Sequence, residues 1–507
     1  MNVLIWYKRD LRVEDHPALT LGAGSGAVLP LYIAEPDYWA LPDASARQWE
    51  FLAETLAGLR RDLARLGAPL VVRVGGAVEV LSRLCKQNDI SQIISLQEVG
   101  NEWTFARDKQ VAAWARSAGI VWQELPGNGV RRGRRGRAGW DADRAAYAET
   151  PALPAPLGLR MVAGIEPGVI PSARALRLAA DDCPHRQTGG RAQGLALLDS
   201  FLATRGQAYR RAMSAPLSAE RACSRLSPYL AVGALSAREV EQAAAAQLAA
   251  RPGADWAANL RSFQSRIAWR AHFTQKLEDA PRMERQALHK AAGDLPGRSS
   301  DGPLFDAWRM GQTGLPYLDA CMRYLASTGW INFRARAMLT SVATYHLWLD
   351  WRAVGQHLAR RFTDYDPGIH WPQIQMQAGM TGINRLRVYN PIKQGLEQDP
   401  TGAFTRRWVP ELAHVPDGFL QMPWKWPGAQ GILGRRYPEP VVDVTHAARE
   451  ARARIGALRQ TDRFAEEEAL LIERHASPAQ NPLFVNDRRP SLRRPRPAPL
   501  GQLCLDL

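Results

Sequence analysis

The sequence predicts an α/β amino-terminal domain on a parallel, doubly wound sheet, followed by an all-α domain. Between residues 2 and 125, short apolar runs rich in branched residues alternate with helical patterns. Runs without polar alternation belong in strands covered on both faces, which is the parallel arrangement. From Gly189 to about Ser477 the apolar spacing becomes helical and no strand series recurs.

The strands expected in order are 3–7 (VLIWY), 27–33, 68–74, 91–97 and 120–125, with helices at 46–66, 77–87 and 103–118 between them. Ligands on such sheets sit beyond the strand carboxyl ends, here near Lys8, Arg9, Asp10 and Glu98. This gives a first domain over 1–130 and a connector over 131–188 carrying RRGRRGR and PALPAPLGL. The arginine run suits either a solvated face or nucleic-acid contact. A helical domain over 189–477 follows, with helices at 191–204, 236–250, 256–278, 316–328, 332–349 and 351–361. The tail, 478–507, is rich in Pro and Arg and is expected to be disordered.

A chain of 507 residues can hold two or three domains with large cores. It has no apolar run of membrane-spanning length and no signal-like start, so a cytoplasmic protein without a membrane partner is expected. Five scattered cysteines without CxxC pairing argue against a zinc ribbon or a disulfide framework. The net charge of +15 favours a polyanionic partner.

Residues 316–391 carry the densest chemistry. Helical spacing breaks at Gly329, and Arg334 and Arg336 then fall among Trp330, Phe333, Tyr345, Trp348 and Trp351. Arginine among aromatics needs an anionic partner, and Asp364 and Asp366 lie just downstream. A D-x-D alone is as often a turn or a helix cap. Upstream, the turn Ser224, Arg225, Leu226, Ser227 before Pro228 opens a helix. Its hydroxyls and free N–H groups suit phosphate oxygens or plain capping.

Several of these blocks, in this order, resemble the photolyase/cryptochrome family: IWYKRDLRVEDHPAL at the start, CSRLSPYLAVGALS at 223–236, WRAHF at 269–273, TGWINFRAR at 328–336 and YNPIKQG at 389–395. The resemblance covers roughly 2–440 and implies an FAD held by the helical domain. By that resemblance Tyr209 and the segment Cys223–Ser227 contact the cofactor, the latter at its pyrophosphate. Arg270 lies near the phosphates or the DNA backbone. Arg336 pairs with Asp364 beside the flavin ring, Asp366 also contacts it, and Trp330 and Tyr365 belong to the same surroundings. The resemblance also implies a partner, UV-damaged DNA, with a flipped pyrimidine dimer stacked on Trp269. Arg334, Arg387, Lys393 and Gln394 match backbone contacts, with Arg210 and Arg211 adding to the rim. Many members carry an antenna chromophore of folate or deazaflavin type on the first domain. Glu98, Glu102 and Arg107 could touch it or be ordinary surface charges.

The chain departs from the family pattern at several places. Cys223 replaces a common Thr. His370 stands where flavin N5 is faced by Asn, Asp or Cys, either tuning the ring or serving as a core histidine bonded to a carbonyl. Arg266 replaces a lesion-contacting Glu, and Met376 replaces the second aromatic wall. Of the usual electron-transfer tryptophans only Trp351 remains, the others aligning to Ile374 and Arg298, which leaves Trp348, Tyr345, Trp330 and Trp371 as alternatives. The scattered cysteines also argue against the four-cysteine iron–sulfur cluster of one branch of that family. The expected activity is blue-light repair of pyrimidine dimers by a monomer acting at the nucleoid, with Trp351, His370 and Trp269 in the chemistry. The alternative is a cryptochrome-like photoreceptor without repair.

Overall fold

The computed structural model describes residues 1–133, 139–251, 253–293, 295–384 and 386–475. The tail and part of the arginine run at 131–137 lie outside the described residues. Five parallel strands, β1 (Asn2–Tyr7), β2 (Ala27–Ala34), β3 (Val71–Val74), β4 (Ile90–Leu96) and β5 (Val121–Leu125), lie in the order β3-β2-β1-β4-β5. β1 sits at the centre, and Val3 to Tyr7 are buried on both faces, as an uninterrupted apolar run requires. The expected fold class holds: a parallel sheet with helices in the amino-terminal part and a helical carboxy-terminal part.

β3 is shorter than the expected 68–74 because Pro69 has no N–H for a ladder. That also explains Pro30 within β2. Pairing with β3 begins only at Leu31, after a lone bridge from Val28 to Met161, so no ladder partner is waiting for an N–H at Pro30.

The connector is less irregular than its sequence suggested. Trp140–Glu149 forms a helix whose Trp140 is buried and whose Arg144 pairs with Glu241 at 3.1 Å. Elsewhere it straps the first domain, Trp49 donating to the Pro171 carbonyl at 2.9 Å.

The expected helix over 332–349 is not continuous. Phe333–Ser341 is α-helical, and Val342–His346 widens into a π turn closed by Leu347 N–H to Val342 O at 3.1 Å. Arg298 takes two carbonyls around the break, Thr344 at 2.9 Å and Leu349 at 3.1 Å. Side-chain spacing alone does not distinguish one wide turn from a regular one.

Buried arginines join the domains. Arg47 is fully buried and donates to Asp181 at 2.6 Å and to the carbonyls of Leu325 and Arg361. Arg238 of the helical domain holds Asp15, and Arg12 donates to Gly233 O. Among the described residues no helix is long and apolar enough to cross a membrane.

Candidate flavin site

Two carboxylates anchor the site, on the loop between helices Trp351–Arg361 and Pro367–Gln377. The Asp364 side chain is 2% exposed, and its Oδ2 accepts from Arg336 Nη2 at 2.6 Å. Arg336 also donates from Nε to Ile331 O at 2.8 Å and lies 4.0 Å over the Phe362 ring. Its plane is fixed on three sides, which an ammonium could not reproduce. Asp364 Oδ1 is buried with no partner inside the protein. A buried carboxylate oxygen without a donor is costly, so it marks a place for an external N–H or O–H.

Asp366 caps the next helix, accepting from Gly368 N–H at 3.1 Å, with Pro367 at the first position. It also takes Arg270 at 2.6 Å and faces Arg9 at 3.8 Å. Capping and charge pairing therefore coexist at this residue. Burial alone would raise its carboxyl, but Arg270 and Arg9 outweigh that and hold it below the usual range. Arg270 is thus engaged with a carboxylate and with Leu230 O at 3.0 Å. Arg9, at the end of β1, reaches Ala231 O at 2.9 Å and Tyr365 O at 3.1 Å, so the first domain positions the D-x-D loop. Sequence reasoning placed Arg9 only at a strand end and did not connect it to this loop.

The 223–227 turn is irregular. Arg225 has φ +62°, uncommon for a residue with a side chain, and its guanidinium lies 4.0 Å over Trp330. Gln187 bonds both its Nε, at 3.1 Å, and its carbonyl, at 2.9 Å. Arg205 gathers the carbonyls of Cys223 at 2.6 Å and Ser224 at 3.3 Å. The short helix Ser227–Ala231 begins at Leu226 without a side-chain cap, so capping does not account for these serines. Burial pushes the Cys223 thiol up to about 12, leaving it neutral. Tyr209 is buried against Phe201 and Phe263, with its ring 5.7 Å from the former. Arg205 and Gln187 had no signal in the sequence, since both act on carbonyls far along the chain.

His370 is a core histidine. Its Nε2 lies 2.8 Å from Gly355 O, where only a donor fits, and its ring packs edge-on to Tyr365 and Trp371 at 5.2 Å. Burial, with a smaller push from Arg336, brings it down to about 4. A proton shuttle at neutral pH is therefore not what this imidazole offers. Burial likewise lowers His346 to about 4 and His357 to about 3. In all three the folded value lies below the unfolded one, near 6.5, so the unfolded chain takes up protons first as pH falls. Their contribution to stability is expected to be constant above pH 7 and to fall between about 6.5 and 4, by roughly 3 kcal/mol per histidine, against the opposite contribution of raised carboxyls such as Asp319 and Glu284. Denaturant titrations at pH 7.5 and 5 check this; equal midpoints would mean the imidazoles charge without loss.

Trp269 is half-buried on helix Ala254–Asp279, its ring 5.5 Å from Phe273. That helix lies close against Pro367–Gln377, which carries His370 and half-buried Met376; a Cβ on Gly368 would come within 3.0 Å of Thr274. Arg266, one turn before Trp269, lies beside the Tyr209 side chain. Arg387 is exposed and Arg334 half-buried, while Lys393 pairs with Glu397 at 3.6 Å. Gln394, expected at the rim, is 7% exposed and does not face solvent. Trp351 is buried, its ring edge-on to Trp371 at 6.2 Å.

The donor set suits a flavin nucleotide. It offers a fixed guanidinium, an orphaned carboxylate oxygen and a strained basic turn beside an indole, within one helical domain.

In the first domain a solvent-open cleft is lined by Trp6, Tyr32, Tyr38, Trp39, Glu98 and Arg107, with Tyr365 of the helical domain also in its lining. Arg107 is buried among Glu35 at 2.8 Å, Glu98 at 2.6 Å and Asp108 at 2.8 Å. Neither Glu98 nor Arg107 is thus an ordinary surface charge. Glu102 lies outside the cleft lining and pairs with Arg285 at 2.8 Å.

Residues 263–457 match the family model described as the FAD binding domain of DNA photolyase, and residues 3–132 match the model described as DNA photolyase. The chain is 31% identical to a cryptochrome DASH of Gloeobacter violaceus, covering 88% of this chain and 94% of that one. It is 30% identical to the deoxyribodipyrimidine photo-lyase of Escherichia coli, covering 90% and 99%. A bacterial class III photolyase structure from Agrobacterium tumefaciens is 26% identical and superposes with a TM-score of 0.78 over 91% of this chain and 98% of its own. An archaeal photolyase from Sulfolobus tokodaii, solved with two FAD molecules, shares the fold at a TM-score of 0.74 and 24% identity, over 90% of this chain and 100% of that one. With its sheet, its helical FAD-binding domain and these relatives together, the chain belongs to the photolyase/cryptochrome family.

Proposed function

We propose that this protein is a photolyase that repairs UV-induced pyrimidine dimers in DNA under blue light. The observation that carries this reading is the Arg336–Asp364 pair with its unpartnered Oδ1, close to the helix that carries Trp269. Bound FAD supplies the photochemistry, absorbing light and exchanging one electron with the lesion. Arg336 and Asp364 hold the ring, the 223–227 turn takes the phosphates, and buried aromatics exclude water. Trp269 stacks the extruded dimer, with Met376 as an apolar second wall. Arg334, Arg387 and Lys393 hold the strand through phosphates, aided by the net charge of +15. Gln394, turned inward, supports that rim from behind.

The protein acts as a monomer on the nucleoid. The cleft in the first domain supports a second, light-harvesting chromophore, since its lining of Trp6, Tyr32, Tyr38 and Trp39 suits a flat ring.

Irradiating the flavin-loaded protein with dimer-bearing oligonucleotides tests this reading. Light-dependent loss of cyclobutane or (6-4) lesions is expected, and Trp269→Ala is expected to weaken lesion binding by about 1–3 kcal/mol without altering its salt slope. A cryptochrome-like photoreceptor is the second reading, favoured by Arg266 at the lesion-contacting position and by the loss of two of three electron-transfer tryptophans. Bound flavin with neither lesion repaired selects it.

A further inference from the structure

Tyr365 lies between the two site carboxylates, yet its hydroxyl turns away from them to another partner. It is 8% exposed and donates a hydrogen bond to Asp43 Oδ2, on the loop between helices Pro36–Trp39 and Ala46–Arg65 of the first domain. The same phenolic oxygen accepts from Trp371 Nε1 at 3.2 Å. An indole, a phenol and a carboxylate therefore form one buried hydrogen-bonded line across the domain junction. Among the described residues, Asp43 has no ion-pair partner.

We propose that Tyr365 is a redox-active tyrosine that gives one electron to the photoexcited flavin held beside it and its phenolic proton to Asp43. The inference rests on the flavin reading above. The phenolic O–H bond breaks and an O–H bond forms on Asp43 Oδ2, along a hydrogen bond already present. Tyrosine is oxidised by one electron, the flavin is reduced by one, and the pair is left as a neutral phenoxyl radical beside a neutral carboxylic acid.

Three features favour this pair. A charged radical in a buried site would be costly, and an adjacent base removes that charge at once. Burial raises the Asp43 carboxyl against the Tyr365 hydrogen bond, so it is a stronger base than an exposed aspartate. The competing surface-side residue is poorly suited. Trp348 has Arg298 at 4.4 Å and Arg454 at 4.7 Å from its ring, and two cations oppose loss of an electron there.

The test uses the full-length, flavin-loaded protein under blue-light pulses, read by transient absorption and electron paramagnetic resonance. A tyrosyl signal is expected in the parent, with a line shape that changes when ring-deuterated tyrosine is incorporated and a decay that slows in D2O. Difference infrared spectra are expected to show a protonated carboxyl during the radical lifetime, absent in Asp43→Asn. Tyr365→Phe is expected to lose the radical per flavin bound, whereas Trp348→Phe keeps it. Unchanged radical yield in Tyr365→Phe, or no response to tyrosine deuteration, overturns the proposal and leaves the flavin reading intact. The deuterated protein keeps this decision available if Tyr365→Phe fails to fold. A protein that binds no flavin overturns both.

Discussion

Replacing Arg336 with alanine is expected to strip the protein of flavin and to destabilise the helical domain by roughly 3–5 kcal/mol, the cost of leaving a buried carboxylate unpaired. Asp364 is 2% exposed and Arg336 is its one ion-pair partner among the described residues. Arg336→Lys is expected to recover part of the stability and little of the flavin. It restores a charge but not the fork that reaches Ile331 O and Asp364 together while lying over Phe362. The double variant Arg336→Ala with Asp364→Ala separates the two effects. It is expected to regain stability, because no orphaned charge remains, and to stay flavin-poor. Flavin-to-protein ratios after gel filtration and denaturant midpoints give both quantities. A single variant that keeps full flavin would mean the pair is structural only.

Arg107→Ala is expected to destabilise the first domain by at least roughly 3–5 kcal/mol, and to make that domain's stability rise more steeply as pH falls. Arg107 stands among Glu35, Glu98 and Asp108, and Lys8, at 3.3 Å from Asp108, is the only other cation in ion-pair contact with these three carboxylates among the described residues. Burial already raises the Glu35 carboxyl with Arg107 present, and removing the guanidinium raises it further. A carboxyl raised above its unfolded value binds protons in the folded state first. Its stabilising contribution is therefore present at low pH and lost as pH rises through the folded value. The variant's first domain should gain stability on going from pH 8 to pH 5. The parent's helical domain should lose it over the same interval through its neutral histidines. Midpoints followed by fluorescence at both pH values decide this, and parallel behaviour of the two proteins would contradict it. Binding of the proposed antenna chromophore should also weaken, because Arg107 shapes the cleft wall with Trp6, 5.0 Å from its guanidinium.

The strands and most helices were legible because their signals are local. Helix Ala77–Gln87 has the bounds that its apolar spacing gives, and Gly329, at φ +67°, ends Pro316–Thr328 where a left-handed residue was needed. The Arg336–Asp364 pairing was legible only through family resemblance, since 28 residues of chain separate the partners. What could not be read falls into two kinds. Backbone departures such as the π turn at Val342–His346 leave side-chain spacing almost unchanged. Contacts across the domain junction, among them Arg9 to Tyr365 O and Tyr365 to Asp43, join residues more than 300 positions apart, with no periodic signal at either end. His370 shows a further limit. Its residue type suggested a titrating group, but burial against a single carbonyl removed that property. Gln394 sat in a matched block and still turned inward, because a block match fixes the backbone and not each side chain's direction.

A crystal structure of the FAD-loaded protein addresses the central claim most directly, through one atom. Asp364 Oδ1, unpartnered inside the protein, is expected to accept a hydrogen bond from the flavin while Oδ2 keeps Arg336. A flavin bound elsewhere, with Oδ1 taken by a protein group or by nothing, would contradict it.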